Sequence, residues 1–197
     1  MDIHAALKQA TSSLHHRLDH LPMMQQLVSS SLTTPEYAFA LTVLGRWFED
    51  IENQFAYYWP DTLGITLKAP LIRQDLAALH ASVVVTSDER YPLAINNAFA
   101  SGVLYVCEGA SLGGMIIGPR VRKALQRQDV THYYSCYGDN TRQHWQGILT
   151  YLSDTLTCEQ DIKKAIAGAQ WAFSSLIKRV ETATLHATSR ADICLSA

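Results

Sequence analysis

Apolar residues recur along this chain every three or four positions and nowhere alternate convincingly with polar ones, so the pattern predicts helices and no sheet. A first helix covers 2–20, with Asp2 as N-cap, an apolar stripe of Leu7, Ala10, Leu14 and Leu18, and Pro22 closing it. A second opens on the capping-box pattern Thr33-Thr34-Pro35-Glu36 and runs through Leu41, Leu44, Phe48 and Phe55 to Trp59, where Pro60 stops it. A third spans 70–85 with Leu71, Leu76 and Leu79. A fourth starts near Pro92 and crosses a glycine-rich stretch before Pro119, with Val121 to Gln128 continuing it. The stretch 133–140 reads as a loop. Asn140 or Thr141 then caps a helix through Trp145, Ile148 and Leu152, and a final helix from Glu159 carries Ile162, Ile166, Ala169, Phe173, Leu176 and Val180. With no repeat or linker, the expectation is one all-α domain over 1–188 and a frayed tail over 189–197.

Composition narrows the function classes. At 197 residues, 48% hydrophobic and 17% charged, the chain is too apolar for intrinsic disorder. A net charge of -2, with no basic cluster longer than 120–123, speaks against a nucleic-acid partner. Cys107, Cys136, Cys158 and Cys194 show no CxxC spacing and follow no secretory signal, so they read as reduced thiols of a cytoplasmic protein. The apolar stretch 98–118 carries Glu108 at its middle and is dense in Gly, Ala and Ser, which fits a buried helix of a soluble protein better than a membrane span. Neither HExxH, GxSxG nor GxxxxGK[ST] occurs. The neighbouring carboxylates Glu49-Asp50 and Asp88-Glu89 read as solvated charge.

Two features exceed what a plain bundle requires. Five of the ten glycines, Gly102, Gly109, Gly113, Gly114 and Gly118, crowd one apolar helical block, where each interior glycine costs about 0.5–1 kcal/mol relative to alanine. Gly102, Gly109 and Gly113 fall within about 40° of one another on the helical wheel, so something presses closely on a bare stripe. Spacing alone favours a neighbouring helix; the sharper candidate is a flat ligand. The adjacent pair Gly113-Gly114 also predicts a kink. The second feature is the first helix's histidines, His4, His15, His16 and His20. With Leu7 at zero, His15 lies at about 80°, bordering the buried stripe, whereas His16 points about 180° away into solvent. A neutral imidazole at that border can bind a metal through one nitrogen, although a half-buried structural histidine is the commoner reading.

The two features coincide in one family. Leu7-Lys8-Gln9-Ala10-Thr11-Ser12-Ser13-Leu14-His15 is similar to the L-(K/R)-x-x-T-x-x-x-H segment of heme oxygenases. Leu104-Tyr105-Val106-Cys107-Glu108-Gly109-Ala110-Ser111-Leu112-Gly113-Gly114 is similar to their L-Y-V-x-E-G-S-x-L-G-G helix. Weaker likeness at Tyr137-Gly138, Trp145 and Phe173 extends the resemblance over nearly the whole chain, most closely to the bacterial biliverdin-forming type associated with phytochromes. It implies a multi-helix bundle holding heme between a proximal N-terminal helix and a kinked glycine-rich distal helix. His15 is then the iron ligand, Gly109, Gly113 and Gly114 form the distal wall, Lys8 pairs with a propionate, Phe173 packs on the ring, and Thr11 packs beneath the heme or caps its own helix. By the same resemblance heme is cofactor and substrate, consumed with O2 and electrons from a ferredoxin or reductase. Biliverdin, CO and ferrous iron are the products, and a bacteriophytochrome is one receiver of the biliverdin.

This chain departs from the family pattern at Ala110, where bacterial relatives commonly carry serine, with Ser111 one position late. Leu149 stands where many relatives carry a propionate-anchoring arginine, and Arg142 is the nearest basic alternative. Two other readings therefore stay open: a heme carrier on the same scaffold without turnover, and a thiamine-cleaving enzyme of the same helical architecture, for which Cys107 lies about 140° from the glycine stripe.

Overall fold

The structure, a computed structural model, describes the backbone of residues 2–81 and 95–195 and the side chains of 2–81 and 95–187. Among the described residues there are helices and no strands, in the order α1 (Ile3–Asp19), α2 (Pro22–Gln26), α3 (Thr34–Phe55), α4 (Lys68–Ala78), α5 (Asn97–Leu125), α6 (Thr141–Thr155) and α7 (Glu159–Leu195). The helix ends follow local chemistry. Asp2 accepts from the backbone N–H of His4 and Ala5 at the start of α1. Thr33 and Glu36 form the reciprocal capping box of α3, Glu36 accepting from the Thr33 N–H at 2.8 Å. At α5 the cap is Asn96, which accepts from the Phe99 N–H at 3.0 Å.

Differences from the sequence reading have physical reasons. Pro22 ends nothing new: its fixed φ suits the first position of α2, a short helix the reading did not include. The second helix stops at Phe55 and passes into a 3-10 turn over Ala56–Tyr58. The stretch read as a loop contains two further 3-10 turns, Tyr133–Ser135 and Gly138–Asn140. Neither Asn140 nor Thr141 caps α6 with its side chain; the Thr141 hydroxyl donates backwards to the Gly138 carbonyl at 2.7 Å. Residues 82–94, including the end of the expected third helix, Pro92 and the Asp88-Glu89 pair, lie outside the described residues. Asp50, read as solvated, is instead buried against Arg179 of α7 at 2.7 Å.

The core forms where α3, α5 and α7 pack, around Tyr37, Leu41, Trp47, Phe55 and Leu104. Helices α5 and α7 approach so closely that a Cβ on Gly102 would come within 1.8 Å of the Ala165 carbonyl oxygen, and one on Gly168 within 2.1 Å of the Phe99 carbonyl oxygen. Only residues without side chains permit that approach. Trp47 of α3 ties to α7 by donating to the Ser175 hydroxyl at 2.8 Å. Among the described residues α5 is the one helix long and apolar enough to cross a membrane, yet most of it is buried inside the bundle.

Candidate active site

Helix α1 lies along α7 in the same direction, as three contacts in order establish. Gln170 donates to the Ala10 carbonyl at 3.0 Å, the His15 ring lies 5.6 Å from that of Phe173, and Arg17 pairs with Glu181 at 2.7 Å. Leu7, Thr11 and Leu18 are buried in that contact. On the wheel His4, Lys8, Thr11 and His15 fall within about 60° of one another and so share a flank. His4 shows where that flank points, because its ring lies 6.2 Å from that of Tyr105 on α5 and 6.1 Å from that of Trp145 on α6. His15, farther along the same flank, is 62% exposed at its side chain, and its Nδ1 lies 2.9 Å from an Asp19 carboxylate oxygen. A carboxylate beside Nδ1 leaves Nε2 as the outward nitrogen, the arrangement that orients histidines bound to metals. Lys8 is exposed on this flank. Thr11 is buried and donates to the Leu7 carbonyl one turn back in its own helix at 2.8 Å.

The facing wall is α5. Tyr105, Gly109, Leu112 and Ile116 lie within about 60° on the wheel, with Gly113 at the border of that flank. Exposure grows along it, from 9% at Tyr105 through half-buried Gly109 and Gly113 to 59% at Ile116. Both α1 and α5 pack on α7 and on α6, yet they hardly meet one another. They therefore bound a wedge whose closed end is His4, Tyr105 and Trp145 and whose floor beside His15 is Phe173, itself 7% exposed. A Cβ on Gly113 would meet nothing within 4 Å, and one on Gly109 only the Trp145 ring edge at 3.6 Å. One imidazole nitrogen opposite an apolar wall that is bare at Gly109 and Gly113 is a donor set and a shape that fit heme.

Gly114 belongs to a different surface. A Cβ there would lie 2.7 Å from the Tyr134 carbonyl oxygen, so its bareness serves packing against the turn over Tyr133–Ser135, and Gly118 likewise faces Tyr134. Ser111 is buried and donates to the Glu108 carbonyl at 2.5 Å, turned toward its own helix rather than the wedge. Leu149 is half-buried and Arg142 exposed on α6. Cys107 is buried at 2% exposure, and burial pushes its thiol well up, which suits an inert core residue rather than a nucleophile.

Directly behind Gly109 stands a polar cluster that the sequence reading missed. The Glu108 carboxylate, 0% exposed, receives Lys68 Nζ from α4, the Tyr137 hydroxyl at 2.8 Å and His144 Nε2 of α6 at 2.9 Å. Tyr137 and His144 stack with ring centroids 3.7 Å apart. Burial pushes the Glu108 carboxyl up, but the hydrogen bond from His144 and the Lys68 charge outweigh it and hold it below the ordinary carboxylate value. Burial likewise lowers Lys68, and the attraction of Glu108 more than reverses this, so both partners stay ionised. Burial raises the Tyr137 hydroxyl to about 12. Glu52 of α3 accepts from the Lys68 and Ala69 backbone N–H groups, capping α4 where its own N-cap residue does not. The legible signal was Glu108 itself, an acid in the middle of an apolar helix; its partners are distant in sequence and carry no spacing pattern.

Comparisons with known proteins bear on the fold as a whole. No family model matches the chain. A heme oxygenase of Xanthomonas campestris is 28% identical over 156 residues, covering 77% of this chain and 93% of that protein. The heme oxygenase of Neisseria meningitidis, solved with NO and CO bound, superposes with a TM-score of 0.76 at 19% identity, covering 93% of this chain and 92% of the other. Heme oxygenase-1 of the cyanobacterium Synechocystis, solved in complex with heme, gives a TM-score of 0.71 at 13% identity over 99% and 98% of the two chains. Over nearly its whole length the chain has the heme oxygenase fold, and in sequence it is similar to a bacterial heme oxygenase.

Proposed function

We infer that this chain is a heme oxygenase, which binds heme between α1 and α5 and opens it to biliverdin. The observation that carries the reading is the wedge itself: an imidazole on one wall, and on the other a helix face bare at Gly109 and Gly113, with α7 beneath. Bound heme supplies the iron at which O2 is reduced with electrons from an external donor protein, and it is also the molecule consumed, leaving biliverdin, CO and ferrous iron.

The chain's own part is positioning and exclusion. His15 offers Nε2 to the iron while Asp19, beside Nδ1, orients the ring. Phe173 packs against the imidazole and fixes its tilt. Gly109 and Gly113 let the α5 backbone approach the opposite face of the macrocycle, so that the helix covers the oxygen site and limits bulk water there. With Ala110 where bacterial relatives commonly carry serine and the Ser111 hydroxyl turned to the Glu108 carbonyl, neither side chain would reach an oxygen bound to the heme, which would leave the α5 backbone and water for that role. Lys8, about two turns before His15 on the same flank, places an ammonium at the rim for a propionate. The protein acts in the cytoplasm, and a bacteriophytochrome is a fitting receiver for its product.

The test is to add hemin to the purified chain, record the visible spectrum, then supply ascorbate or reduced ferredoxin in air. The expected result is a Soret band that decays as biliverdin absorption and CO appear. A Soret band that persists would make the chain a heme carrier, and no heme spectrum at all would remove the reading.

A further inference from the structure

A wall of glycines cannot be located by its own side chains. A Cβ on Gly113 would meet nothing within 4 Å and one on Gly109 only the Trp145 ring edge, so neither position fixes how far the α5 backbone stands from the wedge. The residue immediately before Gly109 is held instead. Glu108, 0% exposed, receives Lys68 Nζ from α4, His144 Nε2 from α6 and the Tyr137 hydroxyl from the connection between α5 and α6. That hydroxyl in turn accepts from the Thr66 N–H at 2.9 Å and from Lys68 Nζ at 3.1 Å, while the Glu108 carbonyl takes the Ser111 hydroxyl. Stability does not account for the arrangement. A buried ion pair gains little over apolar side chains of similar volume, because desolvation of the two charges offsets their attraction. What such a network supplies is a single geometry, since all its donors and acceptors are satisfied together only when α4, α5 and α6 stand at one mutual separation.

We propose that Lys68, Tyr137 and His144 act through Glu108 as positioning residues, which set the height of the α5 backbone at Gly109 and Gly113 over the wedge. The consequence for the clearance above a bound macrocycle rests on the reading of the wedge as a heme site. The positioning itself is a property of the heme-free chain, so the two can fail separately.

The double variant Lys68→Met/Glu108→Leu separates positioning from stability, since an apolar pair keeps most of the parent's unfolding free energy. Amide hydrogen exchange of the heme-free chain is the first readout. Residues 109–113 should exchange about tenfold faster or more in the double variant, while the buried amides of α3 and α7 keep the parent's rates. The second readout is the C–O stretching band of the reduced, hemin-loaded chain under CO, which should shift and broaden in the double variant. Glu108→Gln, which keeps an acceptor for Lys68 and Tyr137, should bring the band back towards the parent's. Tyr137→Phe removes one bond without stranding a charge, and should show both changes to a smaller extent even where the double variant does not fold. Unchanged exchange at 109–113 would overturn the proposal whether or not the chain binds heme, and so would an unaltered CO band in variants that bind hemin. A chain that takes up no hemin would remove the heme reading, and the exchange rates alone would then decide the positioning.

Discussion

Gly102 and Gly113 stand on the same helix, and a methyl group added to each would meet opposite surroundings. At Gly102 it would be driven to 1.8 Å from the Ala165 carbonyl oxygen, into the contact that joins α5 to α7. At Gly113 it would project into open space above the wedge. The first glycine is needed by the fold and the second is not, although both carry the same helix-propensity cost. Between them sits Glu108, held in a four-residue cluster of polar side chains, whereas nothing beyond the adjoining helix backbone lies within 4 Å of the position a Cβ on Gly113 would take. A glycine inside a helix thus points to a ligand only where no protein atom fills the volume its side chain would take.

The largest effect that would break this contrast lies in the cluster. Lys68→Met leaves the Glu108 carboxylate buried without its cation and should lower stability by about 3–5 kcal/mol, read from the denaturant midpoint at unchanged slope. The double variant Lys68→Met/Glu108→Leu should recover most of that, and equal losses in the two would mean the pair is not what the cluster rests on. Next comes Gly102→Ala, which forces α5 and α7 apart and should cost about 1–3 kcal/mol or more. An unaltered melting curve for it would remove the close approach from the account.

Acid should sharpen the same distinction. Because Glu108 is held below its ordinary value of 4.5, it contributes stability that is fully present above that value and lost as the pH falls below it. Glu52, pushed up by burial, acts with the opposite sign. Glu108→Gln should therefore flatten the decline in unfolding free energy below pH 4.5, and an unchanged acid limb would contradict the ionised cluster. The smallest stability effect belongs to Gly113→Ala, which should stabilise the heme-free chain by about 0.5–1 kcal/mol while weakening hemin binding and slowing biliverdin formation. Loss of stability there would place Gly113 with Gly102 rather than opposite it.

The helical architecture was legible because apolar spacing, the Thr33–Glu36 box and the Asp2 cap are local signals that the bundle leaves intact. The wheel also separated His15 from His16 correctly in direction, yet it set His15 nearer the core than its 62% exposure allows, since spacing shows which flank a residue occupies but not where the neighbouring helix stops. The resemblance, not the wheel, put Gly114 with the cofactor wall; Tyr134, which covers it, comes from a turn far along the chain that no local spacing reveals. Lys68 and His144 were invisible for the same reason: each is an ordinary polar residue until α4 and α6 bring it to Glu108.

The most direct measurement is the visible and resonance Raman spectrum of the hemin-loaded chain beside His15→Ala and His16→Ala. The account predicts an iron–histidine signature in the parent that persists in His16→Ala and vanishes in His15→Ala, with the heme-free stability of all three alike. The same signature in His15→Ala, or its loss in both variants, would contradict a wedge in which residue 15 faces the bare wall of α5.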